Sequence, residues 1–252
     1  MKTIVVSDAH LDATSKGREN TASFVRFLRG LDTSQVNRLI VLGDLFDFWF
    51  EYKHVVFSGY FEVLRAFADL RDQGVALHFV CGNHDFWAGR FLRDELHFTI
   101  HTGEARLDFG ERRGLLVHGD GLNPKDWGYR IYKWIARARP IIWLFGVLHP
   151  DWAMGIARCI SRTSRALTRT ETRGEGSESK ALRAFAVRML AEGEADVVLT
   201  GHSHCPLREE HPTRNGSGLY VNTGDWLKHR SYVEWDEADF RFVHEETSPE
   251  AQ

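Results

Sequence analysis

Cysteine is scarce in this chain: Cys81, Cys159 and Cys205 are the only three in 252 residues, and no two form a Cys-x-x-Cys pair. An odd, scattered set of that kind excludes a disulfide framework and a thiolate zinc centre, and it fits a reducing compartment. Long apolar runs are lacking too. The amino terminus offers only Ile4-Val5-Val6 before Ser7 and Asp8, well short of the roughly 7–15 apolar residues of a signal peptide. The stretch Ile141–Leu148 has eight residues, where a membrane-crossing helix needs about 20. Nor is there an excess of one charge: the net charge of −3 and a pI near 6.5 set aside the bulk electrostatics of a nucleic-acid binder. No internal repeat or low-complexity tract is present. These absences lead us to expect a cytoplasmic protein with no nucleic-acid partner.

What is there suits one large catalytic domain, residues 1–252, with 43% apolar residues to fill its core. Short β-branched runs at Thr3–Ser7, Arg38–Leu42, Ala76–Cys81, Gly114–His118 and Asp196–Thr200 read as buried strands that end in polar residues. Apolar periodicity predicts helices over Asn20–Leu31 and Phe57–Asp72. After Cys205 the pattern changes to short strands at Leu207–His211, Gly218–Asn222, Ser231–Trp235 and Phe240–Glu245, with Asn215-Gly216 as a turn. The fold class is therefore a layered α/β arrangement.

One segment stands apart. Lys125–Arg173 holds ten Lys/Arg against three acidic residues, a basic insertion in an acidic body, and residues 122–178 are read as a helical lid. Within it Trp127, Ile131, Trp134, Ile135 and Ala138 recur at helical spacing, as do Ala153, Ile156, Ala157 and Ile160. The Ile141–Leu148 run between them is expected to be buried in a helical hairpin, with a membrane interface as the alternative.

Five motifs carry the chemistry: Asp8-Ala-His10; Gly43-Asp44-Leu-Phe-Asp47; Gly82-Asn83-His84-Asp85; His118-Gly-Asp120; and Gly201-His202-Ser-His204. Each sits at or just past the end of a predicted strand, so all five can converge on the carboxyl edge of a sheet. If the backbone stays extended, the alternating spacing of Asp8/His10 and His202/His204 puts each pair on one side. Seven donors, Asp8, His10, Asp44, Asn83, His118, His202 and His204, would then meet. A bridging carboxylate could hold two metals about 3.5–4 Å apart, the arrangement that activates water and stabilises phosphoryl oxygens. Imidazoles with carboxylates and an amide, without thiolate, favour Mn, Fe, Co or Zn over Ca, and Mg less. A lone histidine at a strand end is usually structural; five motifs in this order are not a chance product of composition. Asp47 and Asp120 are expected to orient loops and ligands, and Asp85 to cap a helix beginning near Phe86. Gly43, Gly82 and Gly201 are expected to permit tight turns. Asp225 and Trp226 are open between structural and functional roles.

These motifs resemble the DxH, GDxxD, GNHD, H and GHxH signature of the calcineurin-like metallophosphoesterases, over about residues 3 to 225. That resemblance implies a four-layer β-sandwich flanked by helices, with Asp8, His10, Asp44 and His204 on one metal. Asp44, Asn83, His118 and His202 would hold the other, and Asp44 would bridge. It implies two divalent cations, Mn²⁺ foremost with Fe, Co or Zn as alternatives, and water activated between them. His84 would stabilise phosphoryl oxygens or protonate the leaving group, beside Asn83.

Within that family, His118-Gly-Asp-Gly-Leu-Asn-Pro-Lys-Asp126-Trp-Gly-Tyr129, the lid and Ser164 resemble the UDP-2,3-diacylglucosamine hydrolases of lipid A synthesis. The resemblance implies cleavage of a UDP-sugar lipid to UMP and 2,3-diacylglucosamine 1-phosphate at the cytoplasmic face of the inner membrane, with peripheral membrane contact. Asn83, His84, Asp126, Tyr129, Arg162, Ser164 and Lys180 would contact the substrate, and the apolar lid would receive acyl chains. The chain carries His84 where that branch commonly has Arg, and Asp47 where it often has Glu. A diesterase or nucleotide pyrophosphatase with a soluble substrate, and a noncatalytic scaffold, stay as alternative readings. Phe48-Trp-Phe50 after Asp47, and Asp85 after His84, speak against a protein Ser/Thr phosphatase.

Overall fold

The computed structural model describes residues 1–12, 14, 17–123, 127–156, 159, 176–213 and 216–245, with the side chains of Tyr129 and Tyr132 excepted. In chain order the elements begin with β1 (Lys2–Val6), α1 (Arg18–Gly30) and β2 (Val36–Leu42). A 3₁₀ turn at Ser58–Tyr60 leads into α2 (Phe61–Asp72), followed by β3 (Ala76–Val80), α3 (Arg90–Asp94) and β4 (Thr99–His101). Next come β5 (Glu104–Phe109), β6 (Arg112–Val117), α4 (Trp127–Ala136) and α5 (Arg139–Val147). The chain closes with a helix here called α6 (Ser177–Glu192), then β7 (Val197–Thr200), β8 (Leu207–Thr213), β9 (Gly216–Asn222), β10 (Ser231–Trp235) and β11 (Phe240–His244).

The β-branched runs of the sequence become strands because both of their faces are covered. They divide into two mixed sheets, ordered β11-β10-β1-β2-β3-β4 and β5-β6-β7-β9-β8. In the first, Val5, Ile40, Leu42 and Val80 point toward Leu116, Val197, Leu199 and Val221 of the second and form the inter-sheet core. The opposite face of the first sheet, with Ile4, Val6, Leu39, Val41 and Phe79, packs on Phe24, Phe27 and Leu28 of α1 and Val63 and Phe67 of α2. The opposite face of the second, with Leu115, Val198 and Tyr220, packs on Ala186 and Leu190 of α6. Helix, sheet, sheet, helix is the expected four-layer sandwich, and period-2 alternation along each strand is what feeds two cores at once.

Four elements escaped the sequence reading, the helix α6 (Ser177–Glu192) among them. Strand β5 was legible as Ala105, Leu107 and Phe109 alternating with Glu104, Arg106 and Asp108. Strand β4 and helix α3, at three and five residues, are too short to show a period. Asn215 of the expected turn lies outside the described residues; β8 and β9 on either side pair antiparallel up to Thr213 opposite Gly216.

Part of the lid departs from expectation. In α5, Ile142 and Phe145 pack with Phe48, Phe50 and Met154, but Trp143, Leu144 and Val147 are exposed. One face of that run is covered, and burial of the whole is not observed. The apolar stripe of α4 faces solvent: Trp127 is 68% and Trp134 76% exposed, and Ile131 and Ile135 are exposed with them. Helix α4 is held from its other side, where Lys133 forms a 2.5 Å ion pair with Asp120 and Ala136 is buried. Among the described residues no helix is long and apolar enough to cross a membrane.

Candidate metal centre

Both sheets contribute to one edge. The parallel strands β1, β2 and β3 of the first sheet end just before Asp8, Asp44 and Asn83; β6 and β7, parallel in the second, end just before His118 and His202. The expected convergence holds, at the carboxyl edges of two sheets where the sequence suggested one.

The extended geometry expected for the paired ligands does not. Asp8 (φ 52°), His10 (φ 43°), Asp44 (φ 51°), His202 (φ 67°) and His204 (φ 53°) all occupy the left-handed region. They lie past the strand ends in tight turns, and non-glycine residues held there store of order 1–3 kcal/mol each, strain that surrounding structure must sustain. Glycine has a different purpose here than the turns inferred from sequence. Gly201 lacks a positive φ, but a Cβ on it would stand 2.6 Å from Asp8 Oδ2 and 2.8 Å from Ser7 Oγ. A Cβ on Gly82 would run into the Asp44 carboxylate. Close approach, with positive φ only at Gly43, explains the three glycines.

Three groups of side chains have ligand atoms close enough to hold a metal ion: Asp8, His10 and His204; His10, Asp44 and His84; and Asp44, His118 and His202. Asp44 Oδ2 lies 3.4 Å from His118 Nε2, 3.8 Å from His10 Nε2 and 3.9 Å from His84 Nε2. Asn83 Oδ1 is 3.2 Å from His118 Nε2. Asp8 Oδ1 is buried without a hydrogen-bond partner and faces His204 Nε2 at 3.3 Å and His10 Nε2 at 3.8 Å. A buried carboxylate oxygen ringed by imidazoles needs a cation, so the donor set fits divalent metal.

Fixed tautomers support the same reading. His118 Nδ1 donates to the Leu42 carbonyl at 2.9 Å, and His84 Nδ1 to the Asp47 carbonyl at 2.8 Å, which turns both Nε2 atoms toward Asp44. Burial works against charge on Asp44, but His118 and then His84 outweigh it and hold its pKa well below the usual range. Burial likewise opposes charge on His118, and Asp44 raises it well above the ordinary imidazole value. The pair marks a spot where positive charge is stabilised. Burial, then His118, lowers His202 to about 4, so it presents a lone pair at neutral pH.

Supporting residues were mostly missed from sequence. Ser7 Oγ donates to Asp8 Oδ2 at 2.5 Å and meets Thr223 Oγ1 at 2.6 Å, and the Asn222 amide donates to Thr200 Oγ1, the Gly201 carbonyl and Ser203 Oγ. Strand β9 running into Asn222-Thr223 was the available signal, the same polar strand end seen in the five motifs. Glu178 on α6 accepts from Asn123 at 2.8 Å and comes within 3.8 Å of His202 Nε2; nothing in its sequence context marked it. Asp85 is not the helix cap expected, since no helix begins at Phe86 and the next one, α3, starts at Arg90. Its buried carboxylate gathers the backbone N–H groups of Gly82, Asp44 and Leu45 at 2.8, 3.3 and 2.8 Å, binding the two ligand loops together. Asp120 holds α4 through Lys133, in line with a loop-orienting role. Asp225 is structural: it accepts from the backbone of Lys228 and pairs with His229, while Trp226 fills the core against Phe24 and Phe27.

Of the expected substrate contacts, Asn83 and His84 stand in the cluster. Lys180 is exposed on the first turn of α6. Tyr129 lies on α4 with its side chain outside the description, and Asp126, Arg162 and Ser164 lie outside the described residues.

The family model for calcineurin-like phosphoesterase matches residues 1–206. The chain belongs to the calcineurin-like phosphoesterases. It is thus a metal-dependent hydrolase of phosphoesters with a dinuclear divalent site. This phosphoesterase is 30% identical over 258 residues to a UDP-2,3-diacylglucosamine hydrolase of Porphyromonas gingivalis, covering 93% of this chain and 94% of that one. It is 31% identical to the enzyme of that name from Neisseria gonorrhoeae, covering 90% of each. Against the Aeromonas hydrophila enzyme of that name it is 30% identical, covering 92% of this chain and 94% of the other.

Proposed function

We propose that this phosphoesterase hydrolyses the pyrophosphate bond of UDP-2,3-diacylglucosamine, yielding UMP and 2,3-diacylglucosamine 1-phosphate. The observation that carries the substrate is the end-to-end similarity to hydrolases of that name, which includes the lid region. Two divalent cations, Mn²⁺ first among Fe, Co and Zn, would be held by Asp8, His10, Asp44 and His204 and by Asp44, Asn83, His118 and His202. When bound, such a pair supplies Lewis acidity and an activated water. The water oxygen bonds to the α-phosphorus as the bond to the bridging oxygen breaks, and that oxygen leaves with the sugar phosphate. Asp44, shared by two of the candidate ligand groups, would bridge the pair. His84, anchored through Nδ1 to Asp47, has Nε2 free to carry a proton to a phosphoryl or leaving oxygen. Asn83, Tyr129, Asp126, Arg162, Ser164 and Lys180 are assigned to the sugar phosphate.

Residues 122–178 act in this reading as a lid inserted in a single domain, residues 1–252. Its exposed Trp127, Trp143 and Trp152 suit peripheral contact with the cytoplasmic face of the inner membrane, where indole rings and cationic side chains are stable. The test is a panel with Mn²⁺: UDP-2,3-diacylglucosamine, cyclic nucleotides, dinucleoside polyphosphates and a chromogenic phosphodiester. Release of UMP from the lipid in strong preference to the others is expected. Preference for a soluble diester would overturn the lipid assignment and leave the metal centre standing.

A further inference from the structure

Beside the metal loops lies a cavity of about 520 Å³, lined by Gly121, Arg130, Lys133, Trp134, Arg137 and Ala138. Its size suits a small ligand. Gly121 is three residues past His118, and Arg137 rests its guanidinium 5.4 Å over the ring of Phe86, two residues past His84. The cavity therefore borders two of the loops that carry the metal cluster.

Its charges are arranged for an anion. The Lys133 ammonium is committed to Asp120 at 2.5 Å. Arg130 on α4 and Arg137, the first residue past its end, have no acidic partner among the described residues. Each is steadied instead by an aromatic ring, Arg130 over Trp127 and Arg137 over Phe86, both at 5.4 Å. Guanidinium forks held this way lose little freedom on binding phosphate oxygens bidentately. Trp134, largely exposed at the same cavity, offers an indole face on which a nucleobase can stack.

We propose that this cavity seats the nucleoside 5′-phosphate half of the substrate, with Arg130 and Arg137 gripping phosphate oxygens and Trp134 stacking the base. The inference rests on the nucleotide-lipid reading above and deepens it: an acyl chain in this cavity would leave the Arg130 and Arg137 guanidinium groups without a counter-charge, whereas a nucleoside phosphate supplies one and lays its base on the apolar wall around Trp134. Selectivity for a nucleoside diphosphate head would then be set by α4.

Arg130→Gln, Arg137→Gln, the double variant and Trp134→Ala are all exposed changes on α4 or the turn that ends it. The expected result is a rise in KM for UDP-2,3-diacylglucosamine of about tenfold or more for the double variant, the scale of lost charge-assisted bonds. UMP should weaken as an inhibitor in parallel. The loss on a chromogenic phosphodiester, which has no nucleoside, should be at least tenfold smaller, and Arg→Lys at both positions should recover part of it. Equal losses on both substrates, or no change in KM and UMP inhibition, would overturn the proposal while leaving the substrate assignment intact. If the variants instead lose binding to anionic vesicles with UMP inhibition unaltered, the cavity serves a lipid headgroup and the nucleoside assignment falls. A wild-type protein that does not turn over the nucleotide lipid refutes the substrate reading itself, and this inference with it.

Discussion

Asp8 Oδ2 accepts the backbone N–H of His202 at 2.9 Å. One residue follows a strand of the first sheet and the other a strand of the second, so this bond ties the two sheets together where the cluster forms. It also presses the Gly201 backbone against the Asp8 carboxylate.

Gly201→Ala is therefore expected to disrupt the site although the substitution is small. The new methyl meets Asp8 Oδ2 and Ser7 Oγ at under 3 Å, and relieving that overlap costs about 1–3 kcal/mol. Chemical denaturation of the metal-free protein reads the loss, and Mn²⁺ titration should show weaker binding. Unchanged stability together with unchanged affinity would mean the approach is looser than described.

Asp44→Ala removes the carboxylate common to two of the three ligand groups. Both cations and the hydrolytic activity should be lost together, activity by well over about 10²-fold, since even an outer-shell partner costs 10–100-fold. Metal analysis after gel filtration checks this; full occupancy in the variant would refute the bridge.

Asp85→Asn keeps the shape of the side chain and weakens the acceptor for four backbone N–H groups, those of Gly82, Asp44, Leu45 and Phe46. Burial, then Asp44, pushes the Asp85 carboxyl up to about 7, so these bonds are only partly charge-assisted, and the amide oxygen of the variant retains part of each. Stability should fall by about 2 kcal/mol and Mn²⁺ affinity by about tenfold, read by denaturation and calorimetry. An unaltered metal affinity would show that the clamp does not reach the ligands.

His78 gives a pH dependence remote from the cluster. Burial, then His101 and Arg38, lowers its pKa from 6.5 to about 4, and its Nδ1 stands 3.3 Å from His101 Nε2. Between pH 6.5 and 4 the unfolded chain takes up a proton that the folded one refuses, so stability falls as the pH drops through that window. The slope has an upper bound of about 1.4 kcal/mol per pH unit per proton. His78→Gln should flatten the acid limb of melting temperature against pH and leave values above pH 7 nearly unaltered; an identical acid limb would reject the assignment.

Trp143→Ser and Trp152→Ser change side chains that are 68% and 69% exposed. Melting temperature should stay within about 2 °C, because little packing is lost. Partitioning onto vesicles of inner-membrane composition should weaken by about threefold or more per tryptophan. Unaltered partitioning would argue that these rings do not touch lipid.

The chain's order of short β-branched runs and polar motifs was enough to pick out the side chains that gather at the candidate metal centre, because metal chemistry demands particular side chains and strand ends deliver them to one edge. Asp8, His10, Asp44, Asn83, His118, His202 and His204 were legible for that reason, as were the layers, since periodicity reports which faces are buried. Tertiary structure alone decided that two sheets supply the edge, that five of the candidate ligands sit in left-handed turns, and that Asp85, Ser7, Asn222 and Glu178 support the cluster. Such roles depend on contacts between segments far apart in the chain, as between Ser7 and Thr223, and no local pattern encodes them. The same holds for α4: its periodicity announces an apolar stripe, but only the Lys133 to Asp120 pair, fixing the opposite side, turns that stripe outward.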